Sequence, residues 1–176
     1  MTFNFSEFKN KKIIVTGSST GIGFETGVEF LNLGANVIFH GNQSINDLEA
    51  RIKTKSQSKN FKLFKSDFTD LSQVDNFMND AINYLDGLDI LVNNAGTMVG
   101  RYQLETISEK DFLKIFDLNA KSAYFATKSA CTIFKKQNYG NIINVSTISA
   151  RTGGSVGSSV YAASKAFVSG ITRSLV

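Results

Sequence analysis

The sequence predicts an α/β fold with a doubly wound parallel sheet, and three observations carry that expectation. Short apolar runs without polar alternation recur along the chain, which marks strands buried on both faces. Helical apolar spacing separates each run from the next, so successive strands must be joined by crossover helices. The unusual residue clusters each follow a strand directly, where open α/β sheets place their ligands.

The elements follow in order. Lys12 to Thr16 is a buried strand that ends in Gly17. Gly21 to Leu33 places Ile22, Val28, Phe30 and Leu31 at helical spacing, and Gly34 stops it. Asn36 to Phe39 is the second strand. Ser44 to Lys55 reads as a helix with Ser44 as N-cap candidate. Asn60 to Lys65 is the third strand. Asp70 to Leu85 is amphipathic through Leu71, Val74, Phe77, Met78 and Ile82. Leu88 to Val92 is the fourth strand. Ser108 to Gln137 reads as one long helix whose start, Ser108-Glu109-Lys110-Asp111, resembles a capping sequence. Asn141 to Val145 is the fifth strand, and a last helix runs from about Ser159 to the terminus. With no linker, repeat or low-complexity tract, residues 1–176 read as one domain.

Composition narrows the function classes. A 42% hydrophobic content suffices for one core, and the net charge of +4 is mild. Basic residues are scattered or paired, as in Lys11-Lys12 and Lys135-Lys136, so solvated helix faces are expected and a nucleic-acid surface is not. The single cysteine, Cys131, excludes an internal disulfide and a cysteine-rich metal site; its helical setting points to a small core residue. The single histidine, His40, cannot build a histidine metal cluster. No signal-peptide pattern opens the chain and no apolar run approaches a membrane span, so a cytoplasmic soluble protein is expected. Proline is absent altogether, which points to biased codon usage or a missing segment.

Three motifs carry chemistry. Thr16-Gly17-Ser18-Ser19-Thr20-Gly21-Ile22-Gly23 joins the first strand to the first helix. Its glycines permit a tight turn and let backbone approach a pyrophosphate at the positive helix N-terminus. The spacing differs from the commoner Gly-x-Gly-x-x-Gly fingerprint. Asn93-Asn94-Ala95-Gly96 follows the fourth strand, where small residues keep space at the strand end. Tyr161 and Lys165 stand one helical turn apart. A free tyrosine, with a pKa of about 10, is a poor general base near neutrality, and an ammonium on the same helical face stabilises the phenolate.

These motifs, in this order, resemble the short-chain dehydrogenase/reductase family, and the resemblance covers essentially the whole chain. It implies a Rossmann-like domain and hydride transfer between NAD(P)(H) and a small-molecule carbonyl or alcohol. Tyr161 would be the general acid/base. Lys165 would lower the phenol's pKa and hydrogen-bond the nicotinamide ribose. Asn119 would hold a water in the proton relay. The family's serine, which polarises the substrate oxygen, aligns here with Thr147, a departure that keeps a hydroxyl donor but adds a methyl. Ser149 and Ser146 are the alternatives. The resemblance further implies cofactor contacts from Gly17, Ser18, Ser19, Gly21, Ile22 and Gly23, from Asn94, Ala95 and Gly96, and from Tyr161 and Lys165. Asp67 and Phe68 match the family's adenine-contacting pair.

Cofactor choice is read after the second strand, in Phe39-His40-Gly41-Asn42-Gln43. A carboxylate that would hydrogen-bond the 2′-hydroxyl of NAD is expected at Gly41 and is missing. The basic residues of NADP-preferring members are missing too. His40, Asn42 and Ser18 could donate to a 2′-phosphate, more weakly than arginine. This tilts the expectation toward NADP(H) over NAD(H).

Eleven residues follow Lys165, whereas family members continue with further strands and a segment that shapes the substrate pocket. The expectation is a C-terminally truncated chain, weakly active or inactive alone, with an open edge on the fifth strand. A non-catalytic nucleotide-binding or interaction protein and a lyase or epimerase are the alternatives. Reduction of 3-oxoacyl carrier-protein substrates and oxidation of sugars or polyols both fit the resemblance. So does a homotetramer or dimer of the full-length parent.

Overall fold

The structure is a computed structural model that describes residues 5–42, 45 and 47–175. A 3-10 turn, Phe5–Phe8, leads into β1 (Lys12–Val15) and α1 (Gly21–Asn32). Then come β2 (Asn36–Gly41), α2 (Leu48–Lys55), β3 (Phe61–Lys65), α3 (Leu71–Leu85) and β4 (Ile90–Asn93). After a loop follow α4 (Glu109–Phe116), a π-helical turn (Asp117–Lys121), α5 (Ser122–Gln137), β5 (Asn141–Asn144), α6 (Ser149–Thr152) and α7 (Ser159–Ser174). Ser44, the expected cap of the second helix, lies outside the described residues; Asp47 precedes the first helical residue there.

The sheet order is β3-β2-β1-β4-β5, and every neighbouring pair is parallel. The order reverses between β1 and β4, which opens a crevice at the carboxyl ends of those two strands. The three central strands, β1, β2 and β4, are buried on both faces, as their apolar runs require, whereas β3 and β5 are only partly covered. Ile13, Val15, Val37 and Phe39 face α1 and α2, against Phe24, Val28, Leu31, Leu48 and Ile52. Ile14, Ile38 and Leu91 face the other way, against Val74, Phe77 and Met78 of α3 and Ala126 and Ala130 of α5. Alternate side chains of one strand thus fill two separate cores.

Two helix starts are fixed by their own side chains. Asp70 accepts the Ser72 N–H, and Ser108 accepts the Asp111 N–H. The expected uninterrupted helix over 108–137 is interrupted instead. Residues 117–121 widen into a π turn, a local feature that often accompanies functional side chains. Asn119 sits in that turn. Cys131, expected in the core, is half-buried on the side of α5. Among the described strands β5 pairs with β4 alone, and Ile143 on it is 43% exposed.

Candidate active site

Thr16, at the end of β1, organises the crevice. Its buried hydroxyl donates to the Val92 carbonyl at 3.2 Å and accepts the N–H groups of Asn94 and Ala95 at 3.0 Å each. Asn94 answers with its side chain, donating from Nδ2 to the carbonyls of Thr16 and Gly17 at 2.9 Å. The glycine-rich turn and the Asn-Asn-Ala-Gly segment are therefore one assembly, across 78 residues of chain. Gly23 has to be glycine here, because a Cβ on it would stand 2.3 Å from Asn94 Nδ2 and 2.7 Å from the Gly17 carbonyl. Ala95 lies directly beneath Gly17, and a side chain at either position must respect that contact.

The N-terminus of α1 is open. Thr20 caps it with no side-chain hydrogen bond, so the first-turn amides remain available to an anion. No atom lies within 4 Å of where a Gly21 Cβ would be, and Ile22 is 70% exposed beside it. The Ser19 carbonyl accepts from Arg51 Nη1 at 3.0 Å, and the Arg51 guanidinium lies 4.6 Å from the centre of the Phe24 ring.

The catalytic candidates meet at the other end of the crevice. Lys165 is 4% exposed and donates from Nζ to the Val145 carbonyl at 3.1 Å. Burial holds its ammonium pKa below the ordinary lysine value. Asn119 is fully buried, and its Nδ2 donates to the carbonyls of Thr97 and Ile115, both at 2.8 Å. Its Oδ1 is buried with no donor from the protein. Gly96 lies between the two, with φ +157°. A Cβ there would fall 2.4 Å from Asn119 Oδ1 and 2.9 Å from Lys165 Nζ. Tyr161 is half-buried on α7, one turn before Lys165.

Three of the hydroxyls before Tyr161 are the candidates for the substrate oxygen. Ser146 is committed to α7, donating to the Lys165 carbonyl at 3.2 Å and sharing a 2.9 Å bond with Ser169 Oγ. Thr147 Oγ1 accepts the Ser149 N–H at 3.3 Å and keeps its own proton. Ser149 opens the short helix α6.

His40 and Ser18 depart from expectation. His40 is 3% exposed, with its ring bonded to the Gly17 N–H and the Ser66 carbonyl. Burial pushes its pKa down to about 4. Ser18 is fully buried, and its hydroxyl donates to the Val15 carbonyl at 2.6 Å. Neither side chain is free to donate to a 2′-phosphate, because both are spent inside the fold. Phe68 is likewise buried, its ring stacked 3.9 Å from that of His40. Asn42 stays exposed and donates to Asp67. Desolvation raises the Asp67 carboxyl pKa, but hydrogen bonds from Thr69 and Asn42 outweigh it and hold the pKa below the ordinary value. A side chain at Gly41 would meet Ser19 Cβ at 2.8 Å.

Thr16, Arg51 and the Val145 carbonyl were not among the site residues expected from sequence. Thr16 had a signal, as the first residue of the glycine motif. Arg51 had none, because its partner Ser19 is 32 residues away.

A parallel sheet with a glycine-rich turn at its switch point defines a doubly wound, Rossmann-like α/β protein. The chain belongs to the short-chain dehydrogenase family: the family profile described as "short chain dehydrogenase" matches residues 11–176. Among relatives it is 31% identical to the hydroxynaphthalene reductase-like protein Arp2 of Metarhizium acridum, over 93% of this chain and 61% of that protein. It is 34% identical to the 3alpha-hydroxysteroid dehydrogenase of Mediterraneibacter gnavus, over 97% of this chain and 68% of that one. Its fold superposes with a TM-score of 0.90 on the NADH-dependent reductase A1-R′ complexed with NAD, at 32% identity, covering 98% of this chain and 74% of that one. The chain thus spans 61% of the length of Arp2. Among the described residues no helix is long and apolar enough to cross a membrane.

Proposed function

We propose that the chain is the dinucleotide-binding and catalytic portion of an oxidoreductase acting on a small-molecule carbonyl or alcohol. The observation that carries this is the buried Lys165, one turn after Tyr161, beside Gly96 and the unsatisfied Oδ1 of Asn119. A buried ammonium and a buried acceptor facing one glycine fit a polar ligand and a proton path better than a packed core.

The residues present fit a nicotinamide dinucleotide. The open first turn of α1 and the exposed Gly21 and Ile22 offer a pyrophosphate site. Asp67 and Asn42 stand at the carboxyl ends of β3 and β2, where the adenosine half would lie. Lys165 and Gly96 border the nicotinamide end. When bound, the nicotinamide supplies or accepts the hydride.

Tyr161 then gives its proton to the carbonyl oxygen in reduction, or takes the alcohol proton in oxidation. Lys165 stabilises the phenolate left behind, and its ammonium is held in place by the Val145 carbonyl. Thr147 donates to the substrate oxygen with the proton it retains. Ser146, committed to α7, is less suited to that role. Asn119 accepts through Oδ1 from the group that returns the proton to Tyr161.

We read NAD(H) as the cofactor rather than NADP(H). The lean toward NADP(H) rested on the missing carboxylate at Gly41, with donors to a phosphate in His40, Ser18 and Asn42. Of these donors the first two are committed internally, and the third is bonded to a carboxylate that would repel a 2′-phosphate. The similar reductase A1-R′ is named as NADH-dependent and was crystallised with NAD. The aromatic face formed by Phe112, Phe116, Tyr124 and Phe167 across α4, α5 and α7 would be covered by a second copy, which sedimentation velocity would detect.

The test is calorimetric titration of this chain with NADH and NADPH, followed by NADH oxidation against a panel of ketones and aldehydes in the whole protein. Tight NADH binding, turnover, and loss of turnover in Tyr161→Phe are expected. Binding without turnover in the whole protein would favour a nucleotide-binding protein instead. Unchanged turnover in Tyr161→Phe would remove the mechanism.

A further inference from the structure

His40 makes more contacts with the glycine-rich turn than any chemistry proposed above requires. Its backbone N–H donates to Ser18 Oγ at 2.9 Å, and its carbonyl accepts the Ser18 N–H at 2.8 Å. Its ring Nδ1 accepts the Gly17 N–H at 2.9 Å. That bond fixes the tautomer, so Nε2 carries the hydrogen and donates to the Ser66 carbonyl at 3.0 Å. One residue at the end of β2 therefore holds the turn after β1 by three bonds and the end of β3 by a fourth.

The ring is itself immobilised. It stacks on Phe68 with centroids 3.9 Å apart at 25°, and Phe77 of α3 closes on it at 4.9 Å. An imidazole gripped by two phenyl rings cannot swing away to follow Gly17, so the turn must take its shape from the imidazole. Gly17 is in the left-handed region, with φ +61°. Its N–H faces β2 and is consumed there. The first-turn amides of α1 remain open to an anion.

We propose that His40 is a positioning residue for dinucleotide binding, whose ring presets the Gly17 turn in its binding shape before the ligand arrives. This rests on the dinucleotide reading above. Preorganisation of this kind lowers the ordering cost of binding without adding a contact to the ligand.

The test uses the whole 176-residue chain and three variants. His40→Ala removes the ring. His40→Asn places an amide oxygen near the position of Nδ1, and His40→Gln places its amide nearer Nε2. Two quantities are read: the exchange rate of the Gly17 amide in the ligand-free protein, and the Kd for NADH by calorimetry. His40→Ala should exchange Gly17 at least about tenfold faster and bind NADH about tenfold more weakly, the effect of losing one neutral hydrogen bond. Exchange at Ile14 and Ile38, in the core strands, reads any change in global stability, and the Gly17 effect is counted beyond it. His40→Asn should recover most of both quantities, and His40→Gln should not. That ordering keeps the test decisive even if His40→Ala fails to fold.

Unaltered Gly17 exchange in His40→Ala would overturn the inference. So would equal NADH affinity in the Asn and Gln variants, or an Ala variant within twofold of the parent. A parent chain that binds no dinucleotide would overturn the dinucleotide reading and this inference together. Binding by the parent with an indifferent His40 would overturn the inference alone.

Discussion

Lys165 Nζ donates to the Val145 carbonyl at 3.1 Å, so the ammonium one helical turn after Tyr161 is tied to the end of β5 and not to its own helix. The bond spans 20 residues and sets the distance between α7 and the sheet at the point where chemistry is proposed. The same burial that lowers the lysine pKa also makes this bond costly to lose.

Replacing Lys165 with methionine keeps the volume and removes the charge. It should weaken NADH binding and abolish turnover, both seen by calorimetry and by absorbance of NADH. Lys165→Arg should not rescue either, because a planar guanidinium does not fit the slot of a buried ammonium. An Arg variant with parental turnover would show that a positive charge alone suffices.

Gly96 is where a methyl group tests the site most directly. In Gly96→Ala the new Cβ would stand 2.4 Å from Asn119 Oδ1, at a φ that alanine resists. Denaturant titration should show a loss of about 1–3 kcal/mol, the usual cost of forced backbone or displaced packing. NADH binding should fall with it. Stability and binding equal to the parent would mean that the crevice is looser than its geometry states.

Thr147 is proposed to donate to the substrate oxygen, and the departure from serine can be read by exchange. Thr147→Ser keeps the donor and should retain turnover. Thr147→Val keeps the shape and should lose it by about 10²–10³-fold, as when a donor to a developing oxyanion is removed. NADH affinity should stay level in both. Ser149→Ala should leave turnover intact, and a large loss there would move the role to Ser149.

His40 predicts a pH dependence of stability. Its folded-state pKa, about 4, lies below the ordinary 6.5, so the folded state prefers the neutral ring. The stability this confers is fully present above about pH 6.5 and is lost as pH falls toward 4. The groups facing the ring are Gly17 and Ser18 from the turn, Ser66, Asp67 and Phe68 beyond β3, and Phe77 from α3. Asp67 is the ionisable one and raises the pKa only as a minor cause. The window corresponds to about 3 kcal/mol at about 1.4 kcal/mol per pH unit. Urea midpoints between pH 7 and 4.5 should fall in the parent and fall less in His40→Asn, which has no ring to titrate. Parallel slopes would assign the acid sensitivity to other groups.

Most of the architecture was legible in the sequence. Buried parallel strands are short and apolar on both faces, so β1, β2 and β4 announce themselves, and their helices follow by period. The glycine turn was legible from its three glycines between a strand and a helix, although the contact that requires Gly23, with Asn94, was not. What was not legible depends on partners far away in sequence. The π turn around Asn119 looks like ordinary helix, because a single widened turn is too short to show as a break in the apolar spacing on either side. The half-buried place of Cys131 depends on which side of α5 meets the sheet.

The sequence by itself determined the fold class, the order of the elements and the identity of the residues at the strand ends. These follow from local periodicity and from residue types whose backbone preferences are intrinsic. Only the tertiary structure decided what His40, Ser18 and Asn119 do. A polar side chain acts through whichever groups are nearest once water has been excluded. For His40 those groups are Gly17 and Ser66, which turns an expected phosphate donor into part of the frame. For Asn119 they leave one buried oxygen unsatisfied beside Gly96 and Lys165, which is the ground for the relay role proposed for it.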